Sequence, residues 1–361
     1  MGADESDLAG GGGARLENDS CRVFISYSHK DVKIVKELVA ALREKGLKPM
    51  WDRSFSGGTG FHEQIKTYIA HAHVFMPVIT KGSSKRGWVH QEIGYASALN
   101  IPVMPVSIGL APKGIIGMIQ ALRLKPKKGN FGEWINPVHF DELVDRVTGE
   151  RPPLYECAAD NRERAKMLAD YADKVARMGE WGMVRQKGGL SSFHIPDVWH
   201  GDPAWAGRYD DKRQAEESYC RCLREEHQAL KRHAVKKGCR LIVDVKFTCK
   251  QYGKPVQKCR LESLLAFLES MDDTCQIATY EAPDPKSTTL VGDWFFAQSV
   301  SAKIGEGYKQ TIFTRHAPTV RAQKKDFDEE FESLLWANKW KPEESRKNMI
   351  ELLKDMIKRL G

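Results

Sequence analysis

The sequence predicts an α/β protein, with a central parallel sheet wrapped by helices in its first half, followed by a second α/β domain and terminal helices. From residue 21 onward, short apolar runs of strand length alternate with stretches of helical period, which is the pattern of successive βαβ units. The alternation stops at Pro152-Pro153 and resumes afterwards at longer spacings. Size supports two cores: 361 residues exceed what one core ordinarily organises, and 41% hydrophobic with 29% charged residues is a globular composition.

Residues 1–20 carry a run of glycines, several acids and few large apolar side chains, so a flexible leader is expected there. Residues 22–27 read as a compact apolar strand. Asp31 stands where it would cap the next helix, in which Val32, Val35, Leu38, Val39 and Leu42 recur at helical spacing until Gly46. A second strand over 47–52, a loop over 53–60 rich in Ser and Gly, a helix near 61–72 and a third strand over 73–80 follow. Residues 88–100 are expected to be helical, 101–108 a fourth strand and 121–125 a short fifth. The first domain is therefore expected over residues 21–150, a charged helical connector over 151–180 and the second domain over 181–361. In that domain 212–237 reads as a long helix, strands are expected near 241–247, 276–282 and 310–315, and a hairpin surrounds Gly292. Phe327, Phe331, Leu334 and Leu335, then Met349, Leu352, Leu353, Met356 and Leu360, mark two terminal helices separated at Pro342.

The formal charge of +8 is spread over both halves without clusters of basic and aromatic residues, so nucleic-acid binding is not expected. The longest apolar stretches are broken by proline or glycine and fall short of the roughly 20 residues that a spanning helix needs, so no membrane segment is expected. Eight cysteines with no secretory leader ahead of them suggest reduced thiols in a cytoplasmic protein. Cys220, Cys222, His227 and His233 invite a zinc reading. On one continuous helix, however, Cys220 and Cys222 point apart, and the spacing fits no structural zinc pattern, so no metal is expected. His194, Trp199, His200 and Asp202 fall in a stretch expected to pack an irregular surface, with ligand sensing as the alternative. No Gly-x-Gly-x-x-Gly follows the first strand, which argues against a dinucleotide-dependent dehydrogenase.

The chemistry gathers in four short segments: Val23-Phe24-Ile25-Ser26-Tyr27-Ser28 with His29-Lys30-Asp31 after it, Trp51-Asp52, Ser56-Gly57-Gly58-Thr59-Gly60-Phe61, and Trp88-Val89-His90-Gln91-Glu92-Ile93. In register over residues 21–130, they resemble the TIR domain family, whose fold is flavodoxin-like. The last segment resembles the helix that carries the catalytic glutamate of NAD-cleaving TIR enzymes. The resemblance implies Glu92 as the catalytic carboxylate. It places Ser26, Tyr27, Ser28, Trp51, Asp52, Gly57, Gly58, Phe61 and Trp88 around the bound nucleotide. It also implies NAD+ as substrate with no separate cofactor, self-assembly through TIR domains, and an effector role in immunity against phage. Some related enzymes carry Arg where this chain has Ser28 or His29, and Lys30 stands next to both as a substitute for the phosphate contacts.

The residues make physical sense for that chemistry on their own. Trp88 and Glu92 are four apart and project from one helix face, which sets an aromatic plane beside a carboxylate. A carboxylate can stabilise positive charge developing at an anomeric carbon. Because the nicotinamide leaving group is already cationic and departs neutral, one carboxylate suffices where most glycosidases need two. The bland reading of Glu92 is a solvated helix residue, and the rival functional class is a TIR scaffold in which Glu92 is idle. A nucleoside deoxyribosyltransferase would use a related sheet and glutamate but should lack a second domain of this size. Residues 290–296 weakly resemble a hairpin of phospholipase-D-like modules without the His-x-Lys signature, so binding of an activating ligand rather than hydrolysis is expected of the second domain.

Overall fold

The computed structural model describes residues 21–51, 61–81, 83, 87–108, 122–124, 138, 155–195, 212–246, 254–281, 286–301 and 309–360. The first half builds a five-stranded sheet from β1 (Arg22–Ser26), β2 (Lys48–Met50), β3 (Val74–Ile79), β4 (Val106–Ile108) and β5 (Leu122–Leu124). Its order is β2-β1-β3-β4-β5 and every pairing is parallel. That is the flavodoxin-like order, in which the sheet switches direction between β1 and β3 and opens a crevice at their carboxyl ends. Helices α1 (Val32–Glu44), α2 (Phe61–His71) and α3 (Gly87–Ala98) connect the strands. Strands β1 and β3 are buried at every position, as a strand covered on both faces should be, and this is why they read as unbroken apolar runs.

Helix α1 buries Val35, Leu38, Val39, Ala41 and Leu42 on one face. It ends as its glycine suggests: Gly46 adopts a left-handed φ of +76°, while Gly46 N–H and Leu47 N–H reach back to the carbonyls of Arg43 (2.9 Å) and Leu42 (3.0 Å). Its start differs from expectation. Asp31 makes no side-chain cap, and its carboxylate instead accepts from Thr80 Oγ1 at 3.0 Å. The fourth strand is also shorter than expected, because Pro102 and Pro105 carry no N–H for the ladder. Only Val106–Ile108 pairs regularly, with an isolated bridge from Val103 to Phe75.

The second sheet has seven strands in the order β6-β12-β11-β10-β7-β8-β9. They are β6 (Tyr155–Ala158), β7 (Val184–Gly188), β8 (Cys239–Val243), β9 (Cys275–Thr279), β10 (Thr288–Val291), β11 (Phe295–Ser301) and β12 (Lys309–Thr314). The run β7-β8-β9 is parallel and all other neighbours are antiparallel. Its helices are α4 (Asn161–Arg177), α5 (Lys212–Lys237), α6 (Lys254–Ser270), α7 (Ala317–Asn338) and α8 (Ser345–Leu360).

The stretch expected to be a connector over 151–180 is corrected by this topology. Strand β6 pairs with β12 at the sheet edge, and α4 buries Ala165, Leu168, Ala169, Tyr171, Ala172 and Val175. Helix α4 is charged in sequence because its solvent face is charged; its other face is core. Two further elements, β7 and α6, were not legible. Strand β7 reads Val-Arg-Gln-Lys-Gly, yet Arg185 is buried against Asp328 and Gln186 against Ser192 and Thr289. Paired polar side chains replace the apolar alternation that marks a strand.

The two sheets are not beads on a string. One contiguous cluster runs from Phe24, Tyr68, Ile69, Phe75 and Ile93 in the first half to Ala158, Tyr171, Phe295 and Phe313 in the second. Polar contacts cross the same boundary: Lys48 pairs with Glu180, and Arg315 Nη1 donates to the Ala70 carbonyl at 3.4 Å.

A close backbone approach fixes Gly238, and substitution there and at an open glycine tests this packing. Gly238 has φ +79°, and a Cβ there would stand 2.4 Å from the Thr274 carbonyl oxygen. Gly94 in α3 faces open space. Gly238→Ala is expected to lower stability by about 2–4 kcal/mol, whereas Gly94→Ala raises it by up to about 1 kcal/mol. Thermal unfolding of both variants checks the pair, and equal shifts in Tm would contradict the packing.

Candidate active site

Strand β1 ends at Ser26, on the side of the crevice where it adjoins β3. Glu92 is carried by α3, the helix that follows β3, and points back toward that strand end. Ser26 Oγ donates to Glu92 Oε2 at 2.6 Å, so two residues 66 positions apart meet at the carboxyl edge of the sheet. Glu92 is only 8% exposed. Burial raises its carboxyl from 4.5 to about 7, with the Ser26 hydrogen bond pulling in the opposite direction. A carboxyl held near neutrality in a strand-end crevice has the character of a functional group rather than of a solvated helix residue.

The other expected residues distribute around this pair. Side chains alternate along a strand, so Arg22, Phe24 and Ser26 share one face of β1 while Val23, Ile25 and the residue after the strand, Tyr27, share the other. The packing follows that rule: Tyr27 and Trp51 cluster with Val35 and Val39 of α1, whereas Phe24 clusters with Val89 and Ile93 of α3. The Tyr27 and Trp51 rings lie 6.1 Å apart, tilted by 40°. They therefore stand on the α1 side of the sheet, and Glu92 stands on the α3 side. Ser28 is buried beside them and its carbonyl accepts from Asp31 N–H at 2.7 Å. Lys30 is exposed in the 3-10 turn at the same edge. Asp52, Gly57 and Gly58 lie outside the described residues. Phe61 opens α2 and Trp88 stands one turn before Glu92 on α3, with the side chains of both outside the described part.

Sequence reasoning missed a second polar connection at the carboxyl ends of β1 and β3. Thr80 Oγ1 donates to Asp31, Ser83 Oγ accepts from Thr80 N–H at 2.8 Å and donates to the Val78 carbonyl at 3.2 Å. These bonds tie the segment after β3 to the turn after β1. The signal was a lone Asp at a helix start, which capping explained just as well.

The candidate residues of the second domain that are described are buried in its interior. His233 Nδ1 accepts from Gly182 N–H at 3.1 Å, and its Nε2 lies 2.9 Å from the Ala172 carbonyl. His227 Nδ1 lies 3.2 Å from the Ser192 carbonyl. Cys222 packs with Ala165, Ile195 and Leu223. His194 is buried rather than on a surface loop. It caps its own short turn by accepting from Ser191 N–H at 2.9 Å, and burial, with Arg260 nearby, lowers it to about 3. Trp199, His200 and Asp202 lie outside the described residues. Among the described residues no group of three His, Cys, Asp or Glu side chains is placed to hold a metal ion, and no helix is long and apolar enough to cross a membrane.

A parallel five-stranded α/β domain with one buried carboxyl at its switch point is the class that this geometry defines. Residues 23–134 match the TIR domain family, and this part of the chain is a TIR domain. Such domains serve signalling or NAD cleavage and commonly self-associate. No curated protein matches the chain. A solved structure similar to part of it is that of TrmBL2, an archaeal chromatin protein reported to show a novel mode of DNA binding. It has 6% identity and a TM-score of 0.27 over 54% of this chain and 59% of that one, a likeness too slight to bear on fold or function.

The raised Glu92 carboxyl carries a stability signature. Its unfolded value lies near 4.5 and its folded value near 7, so the folded state holds the proton more tightly and stability falls as pH rises through that window. Glu92→Gln removes this cost. The variant should be more stable than wild type above pH 7, by about 3 kcal/mol or less, and should converge with it near pH 4. Tm measured against pH checks this, and a variant less stable than wild type at every pH would contradict it.

Proposed function

We propose that the TIR domain is an NAD+ glycohydrolase in which Glu92 stabilises the positive charge that develops on the ribose as nicotinamide leaves. The observation that supports this most directly is the buried Glu92 carboxyl held by Ser26 at the carboxyl edge of β1 and β3. The C1′–N1 bond breaks and its electron pair goes to the nicotinamide nitrogen, which departs neutral. The ribose is left cationic at C1′, and an ionised carboxylate in a site shielded from water opposes that charge strongly. Water then attacks C1′ to give ADP-ribose and a proton; attack by a group of the same nucleotide would give a cyclic product instead. Ser26 holds the carboxylate by hydrogen bonding to its charged form. Tyr27 and Trp51, paired on the α1 side of the same sheet edge, would offer their rings to the nucleotide.

The docked second domain supports a regulated enzyme, with a ligand at that domain and self-assembly of TIR domains as the controlling events. An effector role in defence is the setting that this combination suits. In the alternative, the TIR domain is a scaffold that recruits partners without chemistry.

Nicotinamide release from NAD+ by wild type and Glu92→Gln, each over a concentration series, separates the two. Loss of about 100- to 1,000-fold on substitution is expected, the usual scale for removing a group that stabilises transition-state charge. Equal release from both proteins would contradict the catalytic role. A wild type that self-associates but releases no nicotinamide at any concentration would favour the scaffold.

A further inference from the structure

Arg22 opens β1 and is the most unusual residue at the boundary between the domains. It is 2% exposed, and its guanidinium is enclosed by groups from both sides. Nε donates to the His71 carbonyl at 2.7 Å, at the end of α2. Nη1 lies 2.7 Å from Asp293 Oδ1, Nη2 donates to the Asp293 carbonyl at 3.3 Å, and the Trp294 ring covers the guanidinium at 3.8 Å. Asp293 and Trp294 form the turn between β10 and β11, where Gly292 takes a φ of +53°. A Cβ on Gly182 would stand 2.6 Å from Gly292 N, so the base of this hairpin is itself held tightly in the second domain. His73 completes the enclosure: its Nδ1 accepts from Arg22 N–H at 3.0 Å and its Nε2 lies 3.9 Å from Asp293. Burial and the adjacent Arg22 hold this imidazole in its neutral form.

A buried cation must stay with its counter-charge, because separation would leave it uncompensated in a low-dielectric setting. The amino end of β1 therefore moves with the hairpin of the second domain. Ser26 is at the other end of the same strand, about 13 Å away, at roughly 3.3 Å per residue. Arg22, Phe24 and Ser26 share one face. Phe24, between them, is stacked on Tyr68 of α2 and Phe75 of β3, with centroids 5.5 and 5.9 Å away, so the strand has little freedom to shift without repacking.

We infer that the second domain sets the working carboxyl of the TIR domain through β1, by closing the Asp293–Trp294 hairpin on Arg22 and so holding Ser26 in the position that seats Glu92. This rests on the reading of Glu92 as the catalytic group. Arg22, Asp293 and Trp294 are positioning residues: none touches the crevice, and all act through the strand. Among the described residues, Ser26 is the polar group that bonds the Glu92 carboxyl, so the ionisation of Glu92 reports the position of the strand end. A ligand that moved the hairpin would retune the active site without touching it.

The coupling is tested in the full chain by following the Glu92 side-chain carbon through a pH titration by NMR, with the signal assigned by its absence in Glu92→Gln. Ser26→Ala serves as reference and moves the midpoint upward, since the bond it removes favours the charged form. Asp293→Asn is expected to move it the same way by about half a unit, roughly threefold in the ionisation constant. The Ser26→Ala/Asp293→Asn double variant should go no further than Ser26→Ala alone, the non-additivity expected of one shared route. Lys354→Met, which breaks the exposed Lys354–Glu269 pair between α8 and α6, should leave the midpoint in place. If Asp293→Asn does not fold, Trp294→Phe keeps an aromatic ring against Arg22 and should give a smaller shift in the same direction. A wild-type midpoint in the clamp variants while Ser26→Ala shifts, or additive shifts in the double variant, would overturn the inference. Nicotinamide release that survives Glu92→Gln would remove the catalytic reading but leave the titration to decide the coupling.

Discussion

Strand β1 is buried along its whole length, and the candidate site and the contact between the domains are both built on it. At its amino end a guanidinium is enclosed by two domains; at its carboxyl end a hydroxyl is bonded to a buried carboxyl. Between them, Phe24 is stacked on both sides. A strand in the middle of a parallel sheet has no solvent-facing side on which to absorb a displacement, so a shift at one end requires repacking along its length.

The site illustrates how burial and hydrogen bonding divide the work of tuning one carboxyl. Desolvation alone would keep Glu92 protonated and useless for opposing positive charge. The Ser26 hydroxyl restores part of the charged form, which leaves the group balanced near neutrality. The cost is stability: a carboxyl that resists ionisation weakens the fold as pH rises, a burden that a solvated glutamate at the same position would not impose.

Much of the first domain was legible because its strands are apolar runs punctuated by Gly, Pro and polar turns, and its helices have one apolar face. Glu92 and Ser26 were legible from the segments around them, although their direct contact was not, since it joins residues distant in sequence. The second domain was harder for a physical reason. The middle of strand β7 is Arg185, Gln186 and Lys187, which are paired with Asp328, Ser192 and Glu330 respectively, and periodicity cannot reveal partners. The charged surface of α4 hid its buried face, so a core element looked like a connector. Arg22 looked like an ordinary polar flank of a strand; only the fold shows that Asp293 and Trp294, more than 270 residues away, enclose it.

The most direct test of the account is the pH dependence of nicotinamide release. An ionised Glu92 is required to oppose the developing ribose cation, so the rate should rise through a midpoint near 7, and the residual rate of Glu92→Gln should lack that limb. A wild-type rate independent of pH across that window, or an identical limb in the variant, would contradict the claim that this buried carboxyl does the chemistry.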